Sequence, residues 1–282
     1  MVLFIEPQPT IGEAWARTLE GVTAAGGSAV HVVTTITDPA GRDDSKLRGV
    51  ADRYLVERYI GNHHVQTVQT VANTIFPKSF YRSPGYSWAP ELKGTEEETA
   101  LNAAADELYA RYNRNLPHLR QFNKTGTYFQ RMIAWDNKKG QGYNQVAARI
   151  KKLRSDRSQN WSTSNAADLA VAGDGELEAA GLQTFASTDE RTRGFPCLVH
   201  VDLTVRDKTL HVSALYRHQY LITKAYGNAL GLARLQAFIA EQTGYAVGEL
   251  TILGTYSDTE SRIWTKAGVR EILADLRDAG AA

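Results

Sequence analysis

The sequence predicts an α+β fold, with residues 1–282 forming one domain. Three observations predict it: helical and alternating apolar periodicities are interspersed, an antiparallel hairpin occupies the C-terminal half, and no repeat or clear linker divides the chain. With 282 residues, 43% of them hydrophobic and 22% charged, the chain can bury a large core.

Residues 10–26 read as a helix, because Ile11, Ala14, Trp15, Leu19 and Val22 recur at helical spacing and Gly26-Gly27 stops them. A strand follows at Ala29 to Thr35, closed by the turn Asp38-Pro39. Asn62 to Asn73 offers a helical stripe of Val65, Val68 and Val71, whereas the proline- and aromatic-rich stretch Ile75 to Pro90 reads as an ordered loop. Glu96 to Gln121 is the longest helical segment, carrying Leu101, Ala105, Leu108, Tyr109 and Tyr112 on one side. After a glycine-containing loop, Asp136 to Gly142, a helix is predicted over Tyr143 to Leu153. The Ser/Asn/Gly-rich stretch from Arg154 to Gly181 reads as surface connection.

From Leu182 the chain changes character. Leu198 to Val205 and Leu210 to Arg217 alternate strictly on either side of Arg206-Asp207-Lys208-Thr209, which predicts a β-hairpin. Val199, Val201, Leu203 and Val205 form its apolar face; His200, Asp202 and Thr204 form its polar one. A helix from about Ala225 to Thr243, a strand from Val247 to Tyr256 and an amphipathic helix from Lys266 to Arg277 complete the chain.

Composition removes several function classes. Net charge is +1, from 32 basic and 31 acidic residues, and no run of either sign offers a footprint for a nucleic-acid polymer. The start MVLFIEPQPT lacks a basic flank and soon turns polar, and no apolar run elsewhere reaches bilayer length, so neither a secretory leader nor a membrane partner is expected. A single cysteine forbids an intrachain disulfide and multi-cysteine metal sites; no metal is expected, and the cytoplasm is the natural compartment.

Three features in the C-terminal half carry candidate chemistry: Phe195-Pro196-Cys197 entering a strand, Leu215-Tyr216-Arg217 ending its hairpin partner, and Gly227-Asn228 opening a long helix. Twenty positions separate Cys197 from Arg217, and eleven separate Arg217 from Asn228. Tyr128 and Trp135, followed by Asn144-Gln145-Val146, form a further block, and Tyr256-Ser257 ends the last strand.

In order and interval these segments resemble the thymidylate synthase family, in which a Pro-Cys opens a strand, an arginine ends the next and an asparagine begins a helix. The matched segments cover roughly residues 126–153 and 194–257; the first 90 residues give no residue-level match. The resemblance implies a thymidylate synthase-like single domain with a mixed, twisted β-sheet flanked by helices, and a homodimer whose sheets pack back to back. It also implies a transferase that moves a one-carbon unit from 5,10-methylenetetrahydrofolate to C5 of a pyrimidine nucleotide, leaving methyl or hydroxymethyl. Cys197 is then the nucleophile adding at C6, Arg217 its pKa-lowering neighbour and a phosphate ligand, and Tyr128 a helper in removing the C5 proton. Asn228 reads the uracil edge, Tyr256 contacts ribose, and Trp135 and Tyr220 fall to the cofactor.

The chemistry is sound on its own terms. A thiolate is a soft nucleophile suited to adding across C5=C6, which makes C5 electron-rich, and a guanidinium beside it keeps the sulfur ionised. Each residue also has a plain structural use: Cys197 as a small apolar side chain, Arg217 in a surface ion pair, Asn228 as a helix N-cap, and Tyr128, Trp135 and Tyr256 as core aromatics.

The pattern departs from the family in three places. Where the family reads Arg-Ser-x-Asp, with serine on phosphate and aspartate on the pterin, this chain reads Arg217-His218-Gln219-Tyr220. His218 and Lys224 are candidate replacement charges for phosphate. The adjacent arginine pair that a neighbouring subunit donates is missing between Lys152 and Cys197, where Arg154, Arg157, Arg191 and Arg193 stand apart, and the family's histidine before the ribose tyrosine is Gly254. These losses lean the expectation towards a hydroxymethylase-like member. They leave open folate-independent C5 chemistry by the same thiol, and a non-catalytic nucleotide-binding paralogue.

Overall fold

Thr10 opens the first helix through its own side chain. Its hydroxyl accepts from the Glu13 amide at 3.2 Å, while the Glu13 carboxylate accepts from the Thr10 amide at 3.2 Å, forming a capping box. The computed structural model describes residues 2–41, 45–57, 66–122, 126–135, 142–159, 182–183 and 196–281. In chain order the elements are β1 (Leu3–Phe4), α1 (Ile11–Ala24), β2 (Ser28–Ile36), α2 (Ser45–Glu57), α3 (Val68–Ile75), α4 (Glu96–Phe122), α5 (Tyr128–Ile133) and α6 (Gln145–Ser158). They continue as β3 (Leu182–Gln183), β4 (Leu198–Arg206), β5 (Thr209–Tyr216), β6 (Gln219–Tyr220), α7 (Tyr226–Thr243), β7 (Ala246–Asp258) and α8 (Ser261–Asp278). Helices and an open sheet of parallel and antiparallel strands are thus mixed, as an α+β class requires.

The chain forms two compact units, and their division falls inside α3, β5, α7 and β7. The first comprises Met1–Asn73, Ser213–Ala233 and Gly248–Ala282. Here β1 runs parallel to β2, β2 runs antiparallel to β7 from Ser28↔Asp258 to Ile36↔Leu250, and β6 lies parallel to β7. α1 buries Ile11, Ala14, Trp15, Thr18, Leu19 and Val22, the i, i+3, i+4 face that the sequence marks. Full burial of each large apolar side chain contributes roughly 1.5–3 kcal/mol. The Trp15 indole N–H donates to the Leu221 carbonyl at 2.7 Å, and its ring meets Tyr226 edge-on at 5.4 Å. α2 adds an element absent from the sequence reading, with Leu47, Val50, Ala51, Tyr54 and Leu55 buried at helical spacing. In α8, Thr265 has φ 57° and ψ 158° and its hydroxyl accepts from the Gly268 amide, so regular helix starts at Lys266 as predicted.

The second unit comprises Thr74–Val212 and Arg234–Val247. Its core is aromatic: Phe76 packs edge-on against Phe129 at 5.8 Å, and Phe238 lies 5.2 Å from Phe76 and 4.7 Å from Tyr81. β3 pairs antiparallel with β4, Leu182 facing Val201. Asp207 and Lys208, at φ 50° and 59°, turn the chain from β4 to β5, the two-residue geometry that matches strand twist. Val201, Leu203 and Val205 are buried, so the apolar face of β4 is core, with Val199 half-buried.

Several boundaries differ from the sequence reading. α3 begins at Val68 and ends at Ile75, and the predicted helix's first part, with Val65, lies outside the described residues. Two single 3-10 turns, Lys78–Phe80 and Pro90–Leu92, punctuate the proline-rich stretch. α6 extends to Ser158, beyond the predicted Leu153, and α5 is a short helix where none is expected. Residues 136–141, 160–181, Arg191, Arg193 and Phe195 lie outside the described residues. Among the described residues no helix is long and apolar enough to cross a membrane.

Candidate active site

In the second unit, Pro196 and Cys197 lead into β4, and Cys197 is half-buried. Tyr128 is the first residue of α5, whose N-cap Thr127 accepts from the Gln130 amide at 3.1 Å. That start aims the phenol at the cysteine: the Tyr128 Oη accepts from the backbone amides of Cys197 and Leu198, each at 3.3 Å. Burial, reinforced by the Cys197 sulfur nearby, pushes the Tyr128 phenol up to about 12. It therefore holds its proton at neutral pH.

Trp135 ends the same segment, half-buried, and forms a two-way backbone bridge with Tyr143 at 2.9 and 2.7 Å. This fixes the entry to α6, where the Asn144 side chain accepts from the Ala147 amide at 3.0 Å. Gln145 is fully buried, and its amide donates to the Arg131 carbonyl at 3.3 Å. The Tyr-Trp-Gln block thus assembles α5 and α6 around one backbone junction.

Arg154 and Arg157 are committed within this unit. Arg154 donates to the Gln242 carbonyl, the Gln242 side chain and Asn102 at 2.6–2.8 Å and lies over the Trp88 ring; Arg157 lies over the Tyr245 ring at 5.1 Å.

The first unit holds the remaining sequence-predicted residues. Arg217 is exposed just past the end of β5, and its carbonyl accepts from the Thr255 hydroxyl at 2.6 Å. His218 Nε2 and Asp258 Oδ2 are 2.8 Å apart. The His218 ring lies 4.2 Å from Tyr220 and 4.9 Å from Tyr256, so these three are brought together. Tyr220 and Tyr256 are each 39% exposed. Lys224 donates to Gln66 at 2.8 Å.

Asn228 is 5% exposed and is the third residue of α7, preceded by a π-helical turn over Leu221–Ala225. An N-cap role is therefore excluded. Its neighbour Gly227 has a packing reason to be glycine: a Cβ there would meet Val71 Cβ at 2.5 Å and the Val68 carbonyl at 2.8 Å. At Gly254, where the family carries histidine, a Cβ would meet Ser257 Oγ and approach Gln219 Oε1 at 3.0 Å, so those two side chains would have to turn aside.

Two carboxylates escaped the sequence reading. Asp258 sits two positions beyond Tyr256 on the same strand alternation, but its pairing with His218 depends on β6 adding to β7. Glu260 accepts from the Ile222 and Thr223 amides at 3.0 and 2.8 Å and from the Thr223 hydroxyl at 2.7 Å. Burial raises its pKa against the opposing pull of those bonds. It thereby holds the segment joining Tyr220 to Asn228.

No protein-family model matches the chain. It is similar to a protein named "Putative thymidylate synthase" from Methanococcoides burtonii, at 24% identity over 170 residues, covering 60% of this chain and 68% of that protein. That is a distant thymidylate synthase-like relationship. Identically named proteins of Methanosarcina mazei (22% over 167 residues, 59% of this chain and 66% of that protein) and Methanothermobacter thermautotrophicus (39% over 57 residues, 20% and 26%) share it. The relationship singles out no particular member.

Proposed function

We propose that this chain is a thymidylate synthase-like transferase that places a one-carbon unit on C5 of a pyrimidine nucleotide through a covalent adduct of Cys197 at C6. The observation that carries the reading is the bond from the Cys197 amide to Tyr128 Oη, which joins two residues of the resemblance across 69 positions at the start of β4. The relatives' shared name supports it independently. The reading takes residues 1–282 as one thymidylate synthase-like domain acting as a homodimer in the cytoplasm.

In this reading the Cys197 thiolate adds to C6 and C5 becomes nucleophilic, while Arg217 favours the ionised sulfur and binds phosphate. Tyr128 keeps its proton and its place, and assists removal of the C5 proton by orienting, through its O–H, the water that accepts it. Asn228 pairs with the uracil edge, and His218 and Tyr256 serve phosphate and ribose. The donor, 5,10-methylenetetrahydrofolate, supplies a carbon at the oxidation level of formaldehyde. The family's pterin carboxylate is replaced here by Tyr220, 39% exposed and packed on His218, which in this reading meets the cofactor. Trp135 serves the same cofactor.

The test is an intact-mass search for a covalent complex with a 5-fluorinated pyrimidine nucleotide, with and without methylenetetrahydrofolate. A complex in the native protein and none in Cys197→Ser is expected; absence of any complex under both conditions sinks the reading. The exchange of carboxylate for Tyr220 favours one second reading, folate-independent C5 chemistry by the same thiol. Release of tritium from a 5-tritiated nucleotide without the donor would favour it.

A further inference from the structure

Within the first unit, the segment from Arg217 to Asn228 is held against Asp258-Thr259-Glu260 at the end of β7. This tripeptide is itself anchored: Thr259 is buried, and its amide and hydroxyl both donate to the Gly27 carbonyl, at 2.9 and 3.1 Å. One carboxylate oxygen of Asp258 accepts from the Glu260 amide at 2.7 Å, and the other lies 2.8 Å from His218 Nε2. The imidazole is further confined by the Tyr220 ring at 33° and the Tyr256 ring at 76°. Among the described residues no hydrogen bond engages its Nδ1. Glu260 grips the other end of the segment, accepting from the Ile222 and Thr223 amides and from the Thr223 hydroxyl at 2.7–3.0 Å. Its grip falls on the π turn that leads into α7.

A purely structural use explains this poorly. The His218 and Asp258 side chains are 30% and 21% exposed, where ion pairs contribute little, and β6 is already held to β7 by its backbone. Glu260 has φ 52° and ψ 38°, a left-handed conformation that is unfavourable for any residue with a Cβ. A side chain is nonetheless kept there, and its carboxylate meets three donors. The two carboxylates hold position 218 and positions 222–223, so they bracket Tyr220 and stop just short of Asn228.

We propose that Asp258 and Glu260 are positioning residues that set nucleotide selectivity: Asp258 aims His218 Nδ1 at the phosphate, and Glu260 fixes the turn that sets Asn228 against the base edge. The inference rests on the roles given above to His218 and Asn228 and requires nothing of Cys197. In the nucleotide complex the imidazole lies between two anions, with its Nε2 proton on Asp258 and its Nδ1 proton on a phosphate oxygen. Asn228 reads a base edge only while the start of α7 is fixed, because misaligned hydrogen bonds weaken steeply. Neither carboxylate touches the nucleotide.

The test is calorimetric titration of the full-length protein with uridine 5′-monophosphate, cytidine 5′-monophosphate and uridine, and with their 2′-deoxy forms. Asp258→Asn should weaken binding of the uridine nucleotide about 10-fold while leaving uridine itself nearly unaffected, as for a charge-assisted bond to phosphate that is no longer aimed. Glu260→Gln should instead lower the uracil-over-cytosine preference at least about 5-fold and keep the gain from phosphate. Thr223→Val removes one of the three bonds to Glu260 and serves if Glu260→Gln fails to fold; it should shift base preference in the same direction, with Thr223→Ser restoring it. A structural role alone would weaken all ligands together. That result, or variants that bind as the native protein does, overturns the inference and leaves the proposed function standing. A native protein that binds none of these nucleotides removes both. The split pattern in a protein that forms no covalent complex with the 5-fluorinated nucleotide keeps the positioning roles and removes the thiol chemistry.

Discussion

The hydroxyl oxygen of Tyr128 accepts hydrogen bonds from the backbone amides of both Cys197 and Leu198, each at 3.3 Å. A phenol oxygen has two acceptor sites, and both are used here, so only its proton remains to be given. The tyrosine is tied to the strand that carries the thiol and is poised as a donor.

Tyr128→Phe keeps the ring and removes the acceptor, so the Cys197 and Leu198 amides lose this hydrogen bond. A loss of about 1–3 kcal/mol is expected in denaturant unfolding. The pH profile of Cys197 alkylation by iodoacetamide should shift as well, because the start of β4 loses its tether. Unchanged stability with an unchanged profile would show that the tether has no hold on the thiol.

The same phenol makes a pH prediction. Its folded-state pKa is raised by burial to about 12, above the unfolded value of 10.0, so between those values the unfolded chain releases a proton that the folded chain keeps. The contribution is present below pH 10 and is lost as pH rises towards 12. The stability difference between the native protein and Tyr128→Phe should therefore narrow across that window, measured by urea melts at several pH values.

Asn228→Asp should redirect base preference. A buried amide can both donate and accept along one pyrimidine edge, whereas a carboxylate only accepts and suits the cytosine amino group. Mispairing costs about 1–3 kcal/mol, so the uracil-to-cytosine preference of complex formation should fall about 5- to 150-fold. Equal preference in both proteins would remove Asn228 from base recognition.

Gly227→Ala should weaken the packing of α7 on α3, since the new Cβ meets the Val68 carbonyl, which cannot rotate away. Overpacking of this kind costs about 1–3 kcal/mol. The expected fall in Tm is about 2–4 °C per kcal/mol for a chain of this size. An unchanged Tm would mean that α3 yields at no cost.

Much of the fold was legible because its signals are local. The i, i+3, i+4 stripe of α1 and the alternation of β4 record which side of each element faces the core. α5 was not, because a six-residue helix is too short to show a period. The start of α7 was legible to within a residue of Ala225, but the cap reading of Asn228 was not borne out, because the π turn before it and the carboxylate of Glu260 have already begun the helical winding.

The sequence by itself determined the types of the strongly periodic elements such as α1, α4, α7 and β4, the hairpin, and the spacing of Cys197, Arg217 and Asn228, since these follow from periodicity and residue identity along the chain. The tertiary structure alone decided that Tyr128 grips the Cys197 amide and that Asp258 braces His218. Those pairs are 69 and 40 positions apart. Nothing in local propensity couples such distant residues; only the register of β6 on β7 and the docking of α5 bring them within hydrogen-bond range.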